Sequence, residues 1–153
     1  MAKFLATNGL SYLLEGILID AKSSLTIVSR HFSLPPHCWD LLTQAQERNI
    51  EIKIVFSTYD LGFDQLSFLV DSPNISTFVN PQLNANCYFN EKWMAMGSMF
   101  LHDTQKKPLR ELGVMLSLED DELLFKQVKL EIASIFQEAS PLSSLTEKPL
   151  ILN

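Results

Sequence analysis

The side chains that could take part in acid–base or nucleophilic chemistry are few in this sequence. It has three histidines and two cysteines among 153 residues. His31 ends an apolar segment, and His102 is followed directly by Asp103, an acid that could orient an imidazole as a base. Histidine is the side chain that titrates nearest to neutral pH. His31 and His102 are therefore the candidate catalytic residues; the alternatives are a strand-end histidine and a loop histidine.

Polar side chains that could bind a ligand lie between positions 84 and 111. Asn84 and Asn86 stand at alternate positions at the start of a predicted hairpin, Ser98 lies near its end, and Glu111 is near the start of the next predicted strand. An amide has no group that titrates near neutral pH, so the asparagines can hydrogen-bond to a ligand but cannot act as bases. These four residues are the predicted ligand-binding residues, although Ser98 could equally satisfy the backbone of the hairpin.

Basic residues are concentrated in a stretch with few acids, at Lys92, Lys106, Lys107 and Arg110. Such a cluster could contact a phosphate-containing ligand or a nucleic acid; the alternative is a solvated loop. The whole chain carries a net charge of −6, from 12 basic and 18 acidic residues. This charge argues against non-specific coating of nucleic acid, which requires many phosphate-neutralising cations.

The composition is that of one packed globular domain, with 46% hydrophobic and 20% charged residues. Cys38 and Cys87 do not have the spacing of metal ligands, and two cysteines do not indicate a secreted domain built on disulfides. No uncharged apolar run is as long as a membrane span. We therefore expect a cytoplasmic protein.

Apolar periodicity predicts the helices that would position these residues. Leu10, Leu14, Ile17 and Leu18 share one helical face, and Asn8 is the predicted N-cap of that helix. A second helix begins at the Pro-Pro dipeptide and ends near residue 49. A third helix is predicted over 64–70, and a last one over 119–139, with acids in its first turn.

Strands are predicted between these helices from β-branched and alternating segments. They are SLTIVSRHF, IEIKIVFST, ISTFV, ANCYFN, WMAMGSM and RELGVMLS. The resulting order, α-β-α-β-α-β-β-β-β-α, predicts a fold of the α/β class with a mixed sheet flanked by helices. The predicted domain covers residues 1–139, and residues 140–153 are interpreted as a loose C-terminal tail.

Several of these segments resemble the phospholipase D superfamily. They are IVSRHF, AQERNIEIKIV and WMAMGSMFLHD followed by RELGVML, and the likeness covers about residues 10 to 135. The resemblance implies a single phospholipase D-like domain. It also implies a metal-independent reaction without cofactors, in which a histidine attacks phosphorus and a lysine and an asparagine hold the phosphate. A second histidine, from a duplicated motif or a dimer partner, would protonate the leaving group.

Carried onto this sequence, the motif of the superfamily is degenerate. Asn84 stands where the resemblance expects the nucleophilic histidine, Asn86 where it expects the lysine, and Phe100 where it expects the asparagine. The Gly-Ser dipeptide that includes Ser98 matches, and so does the downstream acid, Glu111. The aspartate of the motif falls on the dipeptide at positions 90 and 91, one residue out of register with the strictest spacing.

The loss of three reacting groups predicts a catalytically silent module that acts by binding or regulation, as a homodimer or as the partner of a related chain. The alternative is a divergent metal-independent phosphodiesterase or nuclease that works with His31 or His102. A further alternative is that Asn84 and Asn86 were introduced in place of a natural motif. Phe100 favours natural loss, because it replaces a third motif position as well.

Overall fold

A computed structural model of the chain describes residues 1–102 and 109–146. The strands are β1 (Lys3–Ala6), β2 (Ser24–Phe32), β3 (Glu51–Tyr59), β4 (Ile75–Val79), β5 (Cys87–Asn90), β6 (Trp93–Gly97), β7 (Leu112–Ser117) and β8 (Ser140–Pro141). The helices are α1 (Thr7–Asp20), α2 (Pro36–Glu47), α3 (Phe63–Asp71), α4 (Glu122–Gln137) and α5 (Leu142–Thr146).

The strands form one mixed sheet in the order β1-β7-β6-β5-β2-β3-β4-β8. Strands β2, β3 and β4 are parallel, and β5, β6 and β7 continue the sheet beside β2 as an antiparallel meander. Helices α2 and α3 connect the parallel strands, as crossover connections in a parallel sheet require. The predicted fold class, a mixed sheet flanked by helices, is confirmed.

Two hydrophobic clusters cover the two faces of the sheet. One cluster packs α1, α2 and α3 against one face, and the other packs α4 against the opposite face. In β3, neighbouring Ile54 and Val55 are both fully buried, one in each cluster. Strands covered on both faces contain such continuous apolar runs because neither face meets water.

The sequence analysis located the main elements but missed some ends. β2 and β4 have the predicted bounds. The prediction of Asn8 as N-cap was wrong: α1 begins at Thr7, after Ala6, and the Thr7 hydroxyl instead accepts a hydrogen bond from the backbone N–H of Glu111. β1 was not predicted, because its four residues are mostly exposed and lack a clear alternation.

Residues 140–146 differ from the loose tail expected there. Ser140 pairs with Val79 at the edge of the sheet, and Leu142 of α5 is fully buried. These contacts add a strand and a short helix to the domain. Residues 147–153 of the expected tail lie outside the described residues. Within the described part of the chain, no helix is both long and apolar enough to cross a membrane.

Candidate functional site

The polar residues of interest meet at one edge of the sheet, where β2 and β3 end; we call it the carboxyl edge. β5 runs antiparallel to β2 and therefore begins at this edge, β6 returns to it, and β7 begins there. The last residues of β2 and β3, the segment after β6 and the residues just before β5 and β7 all lie at this edge. They include Arg30, His31, Thr58, Asn86, Ser98, Phe100, His102 and Glu111.

Asn86 is buried and uses its whole side-chain amide to join backbone segments. Its Oδ1 accepts a hydrogen bond from the Arg30 N–H at 3.1 Å. Its Nδ2 donates to the carbonyl oxygens of Gly97 and Ser98 at 3.3 and 3.2 Å. The amide therefore links the end of β2 to the end of β6 across the start of β5. Because these contacts use both amide protons and the side chain is buried, Asn86 belongs to the framework of the sheet.

Asn84, the second asparagine of the degenerate motif, has a different environment. It is exposed and lies in the loop before β5, two residues from Asn86. The predicted strand ANCYFN is shorter than expected, because β5 begins at Cys87. Asn84 therefore remains at the surface of the carboxyl edge, where a ligand could reach it.

Ser98 and Glu111 are in direct contact. The Ser98 hydroxyl donates to Glu111 Oε1 at 2.7 Å and accepts from the Leu112 N–H at 3.0 Å. Glu111 is 6% exposed, and its Oε2 atom is buried with no hydrogen-bond partner among the described residues. Ser98 thus joins the end of β6 to β7, rather than satisfying the backbone of the β5–β6 hairpin, and also orients a buried carboxylate.

The ring of Phe100 is surrounded by three basic side chains. The Arg30 guanidinium carbon lies 3.8 Å from the centroid of the ring. His102 lies against the ring with centroids 4.8 Å apart, and His31 meets it edge-on at 6.3 Å. The two candidate histidines are therefore brought together, with an arginine that the sequence analysis did not single out. A cavity of about 260 Å³ opens beside Phe100 and His102.

Thr58 forms a hydrogen bond with His31. Its Oγ1 lies 2.8 Å from His31 Nδ1, and the direction of this bond depends on the tautomer of the imidazole. The Thr58 hydroxyl can also donate to the Arg30 carbonyl oxygen at 3.4 Å; it then accepts from His31 Nδ1–H, and Nε2 keeps its lone pair in that tautomer. Burial lowers the pKa of His31, Asp60 raises it, and Arg30 and His102 lower it further, so that the net shift is downward.

Other predicted site residues lie elsewhere. Lys92 is in the β5–β6 hairpin, which is at the opposite edge of the sheet because Asn90 pairs with Leu25 at the start of β2. The prediction that Lys92 and Arg110 belong to one basic cluster is therefore wrong. Arg110 is exposed and next to Glu111 in the sequence. Lys106, Lys107 and Asp103 lie outside the described residues.

The two positions nearest to the aspartate of the motif also face the hairpin edge. Asn90 Oδ1 accepts from the N–H groups of Lys92 and Trp93, and its Nδ2 donates to the Ile17 carbonyl oxygen. Glu91 Oε1 accepts from the N–H groups of residues 22–24. Both side chains stabilise backbone and take no part in the carboxyl edge.

Arg30 and Thr58 are the residues of the carboxyl edge that sequence reasoning missed. The available signals were the Arg-His dipeptide near the end of β2 and the parallel register that places His31 opposite Thr58. No group of three or more histidine, cysteine or acidic side chains among the described residues could hold a metal ion. Cys38 and Cys87 are free thiols, and burial raises their pKa values to about 11 and about 12.

Comparisons with known proteins agree on the fold. No family model matches the sequence, and no curated protein matches it. Among solved structures, NucT from Helicobacter pylori superposes with a TM-score of 0.75 at 13% identity, over 92% of this chain and 99% of that one. The phospholipase D family member Nuc from Salmonella typhimurium gives a TM-score of 0.72 at 12% identity, over 92% and 98%. The chain has the phospholipase D fold.

The resemblance noted in the sequence is therefore confirmed at the level of the fold. Phosphatidylserine synthase from Haemophilus influenzae also contains this phospholipase D fold, with a TM-score of 0.72 at 11% identity over 92% of this chain and 39% of that one. At such identities the likeness concerns the fold alone. The chemistry of the carboxyl edge depends on its own side chains.

Proposed function

We propose that this chain is a catalytically silent module with the phospholipase D fold, which acts by binding or regulation. One observation carries the proposal. Asn86, at the position of the expected lysine, is buried with its amide bonded to Arg30, Gly97 and Ser98. A neutral amide engaged in three backbone contacts cannot offset the charge that develops on a phosphate during transfer.

The other two degenerate positions support the same conclusion. Asn84 is exposed but offers no nucleophilic nitrogen, because the lone pair of an amide nitrogen is delocalised. Phe100 places an apolar ring under the Arg30 guanidinium where an asparagine side chain would donate to phosphate. Nucleophile, cation and amide donor are thus absent together from the motif positions. A homodimer, or a pairing with a related chain, is part of this proposal.

The test is hydrolysis of bis(4-nitrophenyl) phosphate by the chain and by its triple variant N84H/N86K/F100N. We expect no turnover by the chain above a heat-denatured control. Turnover that persists through purification and is lost when His31 is replaced would contradict the proposal. The thermal melt of the triple variant is recorded in parallel, because lysine at position 86 breaks the contacts of the buried amide. A variant that folds and hydrolyses the ester would locate the lost chemistry in these three positions.

A second candidate function is a divergent metal-independent phosphodiesterase. It is favoured by His31, whose Nδ1 bond to Thr58 leaves Nε2 as a possible nucleophile, and by His102 on the same ring of Phe100. Under this candidate, H31A and H102A each abolish turnover of the ester. H37A is the comparison variant, because the His37 ring borders the same cavity but pairs with Glu15 at 3.1 Å. Equal rates in all three variants would exclude this candidate.

A further inference from the structure

We propose that Arg30, His31 and His102 form a binding site for a phosphate monoester at the carboxyl edge. The inference rests on the proposed function and names the class of ligand for the same edge of the sheet. It concerns binding alone: no bond of the ligand is made or broken. Its residues come from the end of β2 and from the segment after β6, not from the degenerate motif positions 84 and 86.

The first observation is the gathering of cationic groups on one aromatic ring. Arg30 stacks on Phe100 at 3.8 Å, and both histidine rings contact the same phenyl group. An arginine that contacts an aromatic ring through its guanidinium still has N–H groups at its outer edge that can form a bidentate contact with a phosphate. Arg30 is exposed, so the ligand can reach it.

The second observation is that the guanidinium of this group is not neutralised by an acid. Arg30 takes part in none of the ion pairs formed by the described residues. Asp60 is the acid that acts on His31, and Arg30 and His102 oppose it. Two further acids line the adjoining cavity: Glu15 pairs with His37, and Glu111 accepts from Ser98. One guanidinium and two imidazole rings therefore lie together, and two of the three neighbouring carboxylates have partners of their own. The net charge of the whole chain is −6, so this basic cluster differs in sign from the chain as a whole.

The number of cations indicates the class of the ligand. A phosphate monoester carries a charge of about −1.5 to −2 at neutral pH and has three terminal oxygens, whereas a diester carries one charge. Arg30 supplies a fork for two oxygens, and protonated His31 would supply Nε2–H for the third. The cavity beside Phe100 and His102 can receive the organic group of the ester, since Leu14, Met99 and Leu101 line it.

Binding would also change the protonation of His31. In the free protein its pKa is lowered, by burial first and by Arg30 and His102 as well, with Asp60 acting in the opposite sense. A bound dianion favours the protonated ring and raises this pKa. Affinity should therefore increase as pH falls from about 7.5 to about 6.5, while the monoester remains largely dianionic.

The experiment is a titration of the full chain with phenyl phosphate, followed through the imidazole proton resonances of His31 and His102. Methyl phenyl phosphate is the matched control ligand, because it differs by one methyl group and one charge. We expect saturable shifts with phenyl phosphate and an affinity at least about tenfold lower for the diester, the effect of one lost charged contact. Equal affinity for both esters would overturn the monoester assignment.

Variants of the chain test the residues. R30Q should weaken phenyl phosphate about tenfold or more, and R30K should be intermediate because it keeps the charge but loses the fork. K53Q is the matched control: Lys53 is an exposed cation of β3, in the half of the strand away from the carboxyl edge, and its loss should change affinity less than about twofold. Binding by R30Q as tight as by the unmodified chain would overturn the proposal.

This outcome is separate from that of the hydrolysis assay. Absence of saturable shifts in the unmodified chain would overturn the binding site but leave the silent module intact. Turnover of the diester would overturn the silent module and leave phosphate recognition by Arg30 standing. Because Arg30 and Lys53 are both at the surface, R30Q and K53Q are expected to fold, and their thermal melts verify this.

Discussion

The two ends of β5 contain the same residue type and use it in the same way. At the hairpin end, buried Asn90 accepts from two backbone N–H groups and donates to the Ile17 carbonyl oxygen. At the carboxyl edge, buried Asn86 accepts from one N–H group and donates to two carbonyl oxygens. Each amide therefore joins three backbone segments that are distant in sequence or lie in different strands.

What differs is the surroundings of the two asparagines. At the hairpin end the neighbouring charged side chain, Glu91, is directed back to backbone N–H groups. At the carboxyl edge Arg30 instead lies over an aromatic ring and faces solvent. The comparison indicates that Asn86 is part of the framework, whereas the recognition that we propose for this edge uses the cations around Phe100.

The largest expected effect concerns the close contact of β6 and β7 at the carboxyl edge. Gly97 and Gly113 are directly paired, and a Cβ atom on Gly97 would lie 2.6 Å from the Gly113 Cα. Backbone cannot give way there without separating the strands, so G97A should lower the free energy of unfolding by roughly 3 kcal/mol or more. Urea denaturation of G97A and of the unmodified chain measures this loss. G16A is the control, since nothing lies within 4 Å of a Cβ at that position.

The next largest effect tests the comparison between Asn86 and Asn90. N86A and N90A each remove three hydrogen bonds between a buried amide and backbone groups, so each should cost about 2–3 kcal/mol of unfolding free energy. N84A changes an exposed side chain and should change the free energy of unfolding by less than about 0.5 kcal/mol. Urea midpoints of the three variants give the ranking. If N86A resembled N84A rather than N90A, Asn86 would not be a framework residue.

A smaller effect is expected from the acid at the hairpin end. Burial alone would raise the pKa of Glu91, but the N–H groups of Ser23, Lys22 and Ser24 outweigh it and hold the pKa below its usual value. The ionised carboxylate thus contributes stability that is present above about pH 4.5 and is lost as pH falls through the lowered pKa.

The variant that tests this contribution is E91Q, which keeps a carbonyl acceptor but cannot ionise. We expect a loss of about 1 kcal/mol at neutral pH, because the site is partly exposed, and a shallower fall of stability in acid. Thermal melts between neutral and acidic pH measure both quantities. An unchanged acid limb in E91Q would show that other carboxylates cause the loss.

The smallest effect is the pH dependence of His31, and its sign is opposite to that of phosphate binding. The pKa of His31 is lowered in the folded chain, chiefly by burial. The neutral ring is therefore favoured by folding, and stability should fall slightly as pH drops from about 6.5 through the lowered pKa. H31Q should remove this slope. With phenyl phosphate bound, the unmodified chain should instead gain stability as pH falls from about 7.5 to about 6.5, where the ester is largely dianionic, and thermal melts with and without ligand distinguish the two signs.

The sequence predicted most of the sheet because its central strands have strong local signals. β2 is rich in β-branched and apolar residues, and its bounds were predicted correctly. The degenerate positions Asn84, Asn86 and Phe100 could likewise be located from the order of motif segments. The use of the Asn86 amide could not, because its partners are backbone groups of β2 and β6 that meet only in the folded sheet.

The contact between Arg30 and Phe100 was beyond sequence reasoning for a similar reason. Seventy positions separate them, and they meet because β5 and β6 return the chain to the end of β2. Lys92 was assigned to the wrong edge because nearness in sequence to Arg110 was taken as nearness in space, although a strand lies between them. Such errors arise whenever a hairpin reverses the chain between two charged residues.

The pairing of β1 with β7 determines when the sheet can be completed during synthesis of the chain. Lys3 pairs with Met115, so β1 leaves the ribosome long before its partner β7 exists. Until then β1 is an unpaired strand, and unpaired strands associate with other chains. Its brevity and its Lys3 charge limit that hazard. Addition of β1 to the edge of the sheet is therefore a late step. Whether β1 is paired with β7 distinguishes a nascent chain that has finished folding from one that has not.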